Sequence, residues 1–162
     1  MKVLLVDDEP FILQGLSVLI DWAAEGCEIV KMASNGKEAL LYLEDHEADL
    51  VITDIKMPVM SGLELLEQIR GRQISDAFFI ILSGYNDFSY AQKAIRYACM
   101  DYLVKPVQKE ALLELIRKAK SSLAVTEQNA ENERRMQEMQ LKQYIIALLR
   151  GKQNEEELKY MK

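Results

Sequence analysis

The stretch ADLVITDIKMPVMSG, residues 48–62, holds a short β-rich run (49–53) that ends on one acid, Asp54, and then passes Pro58 and Gly62 into a helical pattern. A strand whose apolar side chains do not alternate with polar ones belongs inside a parallel sheet covered on both faces. Three other runs have the same form and end in polar residues: KVLLV (2–6) before Asp7 and Asp8, FFIIL (78–82) before Ser83, and DYLV (101–104) before Lys105. If these are neighbouring parallel strands, their carboxyl ends share one edge, where open α/β sheets place ligand sites. Three carboxylates, a hydroxyl and an ammonium would then meet in one crevice.

With EIVKMA (28–33) the strands number five, and helical spacing separates them at about 10–23, 35–46, 61–71 and 86–98, with a fifth helix beginning near Gln108. In the second helix Ala39, Leu40, Leu43 and His46 fit one face, and Asn35 and Gly36 stand at its entry as a cap. Strand and helix alternating in this way predict an α/β fold, a doubly wound five-stranded parallel sheet with right-handed crossovers. After about Leu123 the character changes. Residues 125–143 contain no Gly or Pro and are rich in Glu, Gln and Arg, with apolar residues thinning to Ala130, Met136 and Met139 before regrouping at Leu141, Tyr144, Ile145, Leu148 and Leu149. The expected organisation is a domain over 1–122 and a helical extension over 123–162, exposed, able to pair through a weak heptad seam, and stopping at Gly151.

Bulk composition narrows the function. The 162 residues carry a net charge of −6, and the acidic excess lies early: residues 1–124 have 13 Lys and Arg against 19 Asp and Glu, while residues 125–162 have 7 of each. Direct nucleic-acid binding by the first part is disfavoured, since phosphate contacts need clustered cations. Neither a membrane span nor a signal-peptide pattern is present, so a cytoplasmic location is expected. Cys27 and Cys99 are far apart and have no C-x-x-C spacing, which suits two small buried thiols better than a metal site or a disulfide.

The polar ends of the strands carry the chemistry. Asp7 and Asp8, before Glu9 and Pro10, could cap a helix, but a carboxylate pair at a strand end also suits Mg²⁺, which takes one or two carboxylates and keeps several waters. Asp54 could be a solvated turn residue; beside a divalent ion it could attack a phosphoryl group and form an acyl phosphate. Ser83 could cap a helix or donate to a phosphoryl oxygen. Lys105 could face solvent or pair with phosphate charge, and its bond to Pro106 is a candidate for the cis isomer.

Taken together, DD at 7–8, D-x-x-M-P-x-x-x-G from Asp54 to Gly62, S-G at 83–84 and K-P at 105–106 resemble the receiver domain of two-component response regulators over roughly residues 1–122. The resemblance implies strand order 2-1-3-4-5 and phosphorylation of Asp54 by a partner histidine kinase. It implies Mg²⁺ held by Asp8, Asp54 and the main-chain carbonyl of Lys56, with Asp7 helping through water, and Ser83 and Tyr102 moving together as a switch. Its coupling surface, the fourth helix, fifth strand and fifth helix, would include Ala94, Tyr97, Asp101 and Tyr102 and offers one route to a homodimer. Lys56 and Tyr85 depart from the commonest pattern, and bulky Tyr85 is expected to shield the phosphoryl group from water. The stretch S-G-Y-N-D-F-S-Y-A resembles regulators with a helical linker and an AraC-type DNA-binding output. Residues 125–162 have no basic recognition helix, so DNA contact is expected only through an output region outside this chain, a fragment cut within the linker. A haloacid-dehalogenase-type phosphatase would need D-x-D after the first strand, where residues 7–9 read D-D-E. A flavodoxin-like carrier would need a phosphate loop that DDEPF is not, and a pseudo-receiver would lack one of the acids or the Lys. The expectation is a regulator, not a turnover enzyme.

Overall fold

The apolar runs become the strands β1 (Lys2–Val6), β2 (Glu28–Ala33), β3 (Leu50–Asp54), β4 (Phe78–Ser83) and β5 (Asp101–Val104), all parallel, in the order β2-β1-β3-β4-β5. The computed structural model of the chain describes residues 1–84 and 88–160. Between the strands lie α1 (Pro10–Leu19), α2 (Gly36–Asp45), α3 (Gly62–Gly71) and α4 (Phe88–Arg96), and α5 (Lys109–Tyr160) follows β5. Strand registers put the carboxyl ends level: Val6 pairs with Thr53, Asp54 with Leu82, and Ser83 with Val104.

Alternate side chains of one strand point to opposite faces, and here both faces are covered, which is why the runs read as continuously apolar. Val3, Leu5, Ile52, Ile80 and Leu82 pack with Leu13 and Leu16 of α1 and Leu112, Leu115 and Ile116 of α5. Leu4, Val6, Val51 and Phe79 pack with Leu40 and Leu43 of α2 and Leu65, Leu66 and Ile69 of α3. A smaller cluster, Ile55, Leu63, Ile81 and Ala94, has Tyr102 and Cys99 against it.

Several boundaries differ from the sequence expectation. The first helix ends at Leu19 rather than near residue 23, because Asp21 Oδ1 accepts the Ala24 N–H at 3.1 Å and starts a separate turn that closes at Gly26, whose φ is +69°. Trp22 folds back from that turn, its indole N–H donating to the Leu16 carbonyl at 3.1 Å. The cap of α2 is as expected, Asn35 Oδ1 accepting from Glu38 N at 2.9 Å, but His46 lies beyond the helix and is exposed. Cys27 is buried, whereas Cys99 is only half-buried.

By internal contact the chain divides into two compact units, Met1–Ser121 and Ser122–Lys162. The second is helical through Tyr160, so Gly151 does not stop it: a helical Gly costs about 1 kcal/mol relative to Ala, and the good helix formers around it outweigh that. Within this unit Val125, Met136, Met139, Leu141, Tyr144, Ile145, Leu148 and Leu149 are all exposed. Among the described residues no helix is long and apolar enough to cross a membrane.

The segment between β3 and α3 is held by close backbone approach. Gly62 N donates to the Ile55 carbonyl at 2.8 Å, and a Cβ on Gly62 would lie 2.0 Å from the Asp54 carbonyl oxygen. Gly71 has open space at the same test. Gly62→Ala is therefore expected to lose roughly 3 kcal/mol in urea unfolding, from forced backbone displacement. Gly71→Ala should instead be neutral or gain up to about 1 kcal/mol. Equal effects of the two would contradict this packing.

Candidate functional site

The level strand ends place the predicted residues at one edge of the sheet, where Asp8, Glu9, Asp54, Ile55, Lys56, Ser83, Gly84 and Lys105 line a crevice of about 360 Å³. Asp7 sits beneath it, fully buried. Its backbone N–H donates to the Ala33 carbonyl at 3.0 Å, tying the end of β1 to the end of β2, and its Oδ1 accepts from Glu9 N at 2.9 Å. The helix cap of α1 is Glu9, whose side chain makes no cap bond, so Asp8 is not spent on capping and stands exposed at the rim.

Asp54 is 9% exposed, not a solvated turn residue. Its Oδ1 accepts the Ile55 N–H at 2.8 Å. Lys105 does not face solvent either: its Nζ lies 2.8 Å from Asp7 Oδ2 and 3.3 Å from Asp54 Oδ2, across the floor of the crevice. The Lys105–Pro106 peptide is cis. Ser83 is 2% exposed, and its hydroxyl donates to the Gly84 carbonyl at 2.7 Å.

Burial raises the Asp54 pKa from its ordinary value, the charge of Asp7 adds to the rise, and Lys105 and the Ile55 N–H only partly offset the two. For Lys105, burial pushes the ammonium down, but the hydrogen bond to Asp7 and the charges of Asp54 and Asp7 outweigh it and the pKa rises. One carboxylate oxygen from each of Asp7, Asp8 and Asp54 lies within 4.8 Å of the others. Three carboxylates against one ammonium leave two negative charges in an all-oxygen donor set, which fits a hard divalent cation. Lys56 lines the same crevice.

Tyr102 of β5 is half-buried beside Ile81 and Ala94, and its buried hydroxyl has no hydrogen-bond partner among the described residues. The expected coupling surface needs one correction. Ala94 is fully buried under this cluster, so it offers no side chain to a partner, whereas Tyr97 donates to Glu67 Oε1 at 2.9 Å and Asp101 pairs with Lys118 at 3.6 Å. Tyr85 lies outside the described residues. Sequence reading passed over Thr53, fully buried, whose hydroxyl donates to the Asp54 carbonyl at 2.9 Å. A hydroxyl residue closing an otherwise aliphatic central strand was the available signal.

The response regulator receiver domain family matches residues 3–117, and the chain belongs to that family. It is 39% identical over 112 residues to an uncharacterized transcriptional regulatory protein, YesN, of Bacillus subtilis, covering 69% of this chain and 30% of that protein. It is 42% identical over 115 residues to the transcriptional regulatory protein HptR of Staphylococcus aureus, covering 71% and 44%. The chain thus spans less than half the length of these curated relatives. Among solved structures, the receiver domain of AraT, a response regulator from Geobacillus stearothermophilus, aligns with a TM-score of 0.72 and 39% identity over 78% of this chain and 97% of that one.

An acid with a higher pKa folded than unfolded binds more protons when folded, so stability is greatest below the unfolded value and is lost as pH rises through the raised one. Asp54→Asn removes that loss. In metal-free buffer near pH 8 the variant is expected to melt above the parent, and the gain should shrink as pH falls through the raised Asp54 pKa and vanish below the ordinary value of an unfolded carboxylate. A pH-independent difference would contradict burial of a charged Asp54.

Proposed function

We propose that the chain is a phosphorylation switch, in which Asp54 takes a phosphoryl group from the phosphohistidine of a sensor histidine kinase in the cytoplasm. The observation that carries this reading is the Lys105 ammonium set between Asp7 and Asp54 at the floor of the crevice. A buried carboxylate with a raised pKa is a stronger nucleophile, and the preorganised ammonium meets charge that develops on the transferring group. Asp54 Oδ bonds to phosphorus as the phosphorus–nitrogen bond breaks, and the electron pair leaves on the imidazole. Mg²⁺ is the bound ion in this reading, and it supplies charge neutralisation to the phosphoryl oxygens. Asp8, Asp54 and the Lys56 carbonyl would hold it, with Asp7 helping through water. The transfer is catalysed by the receiver's own residues, with no turnover of a metabolite.

Ser83 then turns its hydroxyl from the Gly84 carbonyl to a phosphoryl oxygen. Tyr102, whose buried hydroxyl has no hydrogen-bond partner among the described residues, follows and changes the surface of α4, β5 and α5. The two forms differ in partner affinity, so phosphorylation shifts the population between them. In the same reading residues 1–122 are the receiver and 123–162 a linker to an output that controls transcription, as the names of the relatives suggest.

Incubation of the chain with Mg²⁺ and acetyl phosphate should add a phosphoryl mass to Asp54. Asp54→Ala should take none, chelation should abolish labelling, and Lys105→Ala should slow it roughly tenfold or more. An unlabelled parent, or equal labelling of Asp54→Ala, would contradict the switch.

The exposed apolar residues of the second unit suit pairing with another copy through the linker helix. Sedimentation is expected to show dimers, more so with a phosphoryl mimic bound. A monomer under both conditions would defeat the pairing.

A further inference from the structure

We propose that Gly36 is a positioning residue for the divalent-metal half of the site, acting as a clamp between the end of β1 and the segment that carries Lys56; the inference rests on the metal reading above. Gly36 is buried at the first position of α2, in a loop remote in sequence from both Asp54 and Lys105. Its backbone does not occupy the left-handed region, which among the described glycines only Gly26 does, so conformation does not demand glycine there. Space does. A Cβ on Gly36 would lie 2.7 Å from the Met60 carbonyl oxygen, 2.9 Å from Met60 Cγ and 3.0 Å from the Ser61 carbonyl oxygen.

The contact is also a bond. Gly36 N donates to the Met60 carbonyl at 3.0 Å, while Ala33, three residues earlier, accepts the Asp7 N–H at 3.0 Å. The short bridge Ala33–Ser34–Asn35–Gly36 therefore joins the backbone of Asp7 to the backbone of Met60. The receiving segment is itself drawn tight. Met60 N donates to the Pro58 carbonyl at 2.9 Å around Val59, whose φ of +72° is a strained value for a β-branched residue. At its base the Gly62 N–H meets the Ile55 carbonyl. A segment closed at its base and turned tightly at its tip has little freedom to yield, so pressure on Met60 and Ser61 moves it as a body, Lys56 included. Strain of this kind persists where the surroundings over-determine the backbone.

Two substitutions test the clamp, with Gly71→Ala as a control that meets open space. Gly36→Ala pushes directly on Met60 and Ser61. Asn35→Ala introduces no clash but removes the Asn35 bond to Glu38 N and frees the start of α2, so the bridge slackens in a folded protein. Mg²⁺ affinity is read by titration calorimetry on the full chain, and Asp54 labelling by acetyl phosphate is read as a function of Mg²⁺. The expected result is about tenfold weaker Mg²⁺ binding in Gly36→Ala and two- to threefold weaker in Asn35→Ala. The labelling rate at saturating Mg²⁺ should stay within about twofold of the parent in both, and Gly71→Ala should be unchanged. A purely structural glycine would lower the melting temperature and leave the Mg²⁺ dissociation constant where it was. If Gly36→Ala does not fold, parent-like Mg²⁺ affinity in Asn35→Ala overturns the clamp. If the parent takes no Mg²⁺, the metal reading falls and the clamp with it; if the parent binds Mg²⁺ and the folded variants match it, the clamp alone is overturned.

Discussion

One ammonium between two acids holds the site together. Asp7 and Asp54 are brought to neighbouring strand ends by the β1–β3 pairing, and both are nearly removed from water. Two carboxylates so placed repel each other and lose hydration, and neither cost is small in an apolar sheet. Lys105, delivered from β5 at 2.8 Å and 3.3 Å, offsets part of both and leaves a deficit of positive charge facing the crevice. That imbalance is the functional content of the fold: in the reading proposed above, a sheet edge that is tolerable alone would gain stability with a cation and change again on phosphorylation of Asp54.

The stability of the sheet makes this tolerable. β3 and β4 are buried along almost their whole length, between α1 and α5 on one face and α2 and α3 on the other. Such a core fixes the register, and register alone decides that Asp54, Leu82, Ser83 and Val104 fall in step at one edge. Around the rigid edge sit elements joined by close backbone contact, with Gly62 pressed on Asp54 and Gly36 on Met60. These glycines relate the crevice-lining backbone to the buried strands.

Much of this was legible in the sequence, for identifiable reasons. Continuous apolar runs specify central parallel strands, and the polar residue ending each run specifies the edge, so the gathering of Asp7, Asp8, Asp54, Ser83 and Lys105 followed from period and position for neighbouring strands, whereas the strand order came from the resemblance to receiver domains. What escaped was set by local competition or by space. Asp21 diverts the end of α1 into its own turn, a side-chain bond that periodicity does not register. Gly151 failed as a stop because its helix-forming neighbours dominate. The burial of Ala94 depends on how α4 seats over Ile81, and the need for glycine at 36 depends on a backbone twenty-four residues away. Neither is written in local sequence.

The most direct measurement of the central claim is a Mg²⁺ titration of the chain near neutral pH, followed by amide chemical shifts. A deficit of two charges confined to one crevice predicts saturation at one ion per chain, with shifts concentrated at residues 7–9, 54–56, 83–84 and 105. Shifts spread over the acidic surface without saturation would show that the gathered carboxylates form no site, and the account would fail.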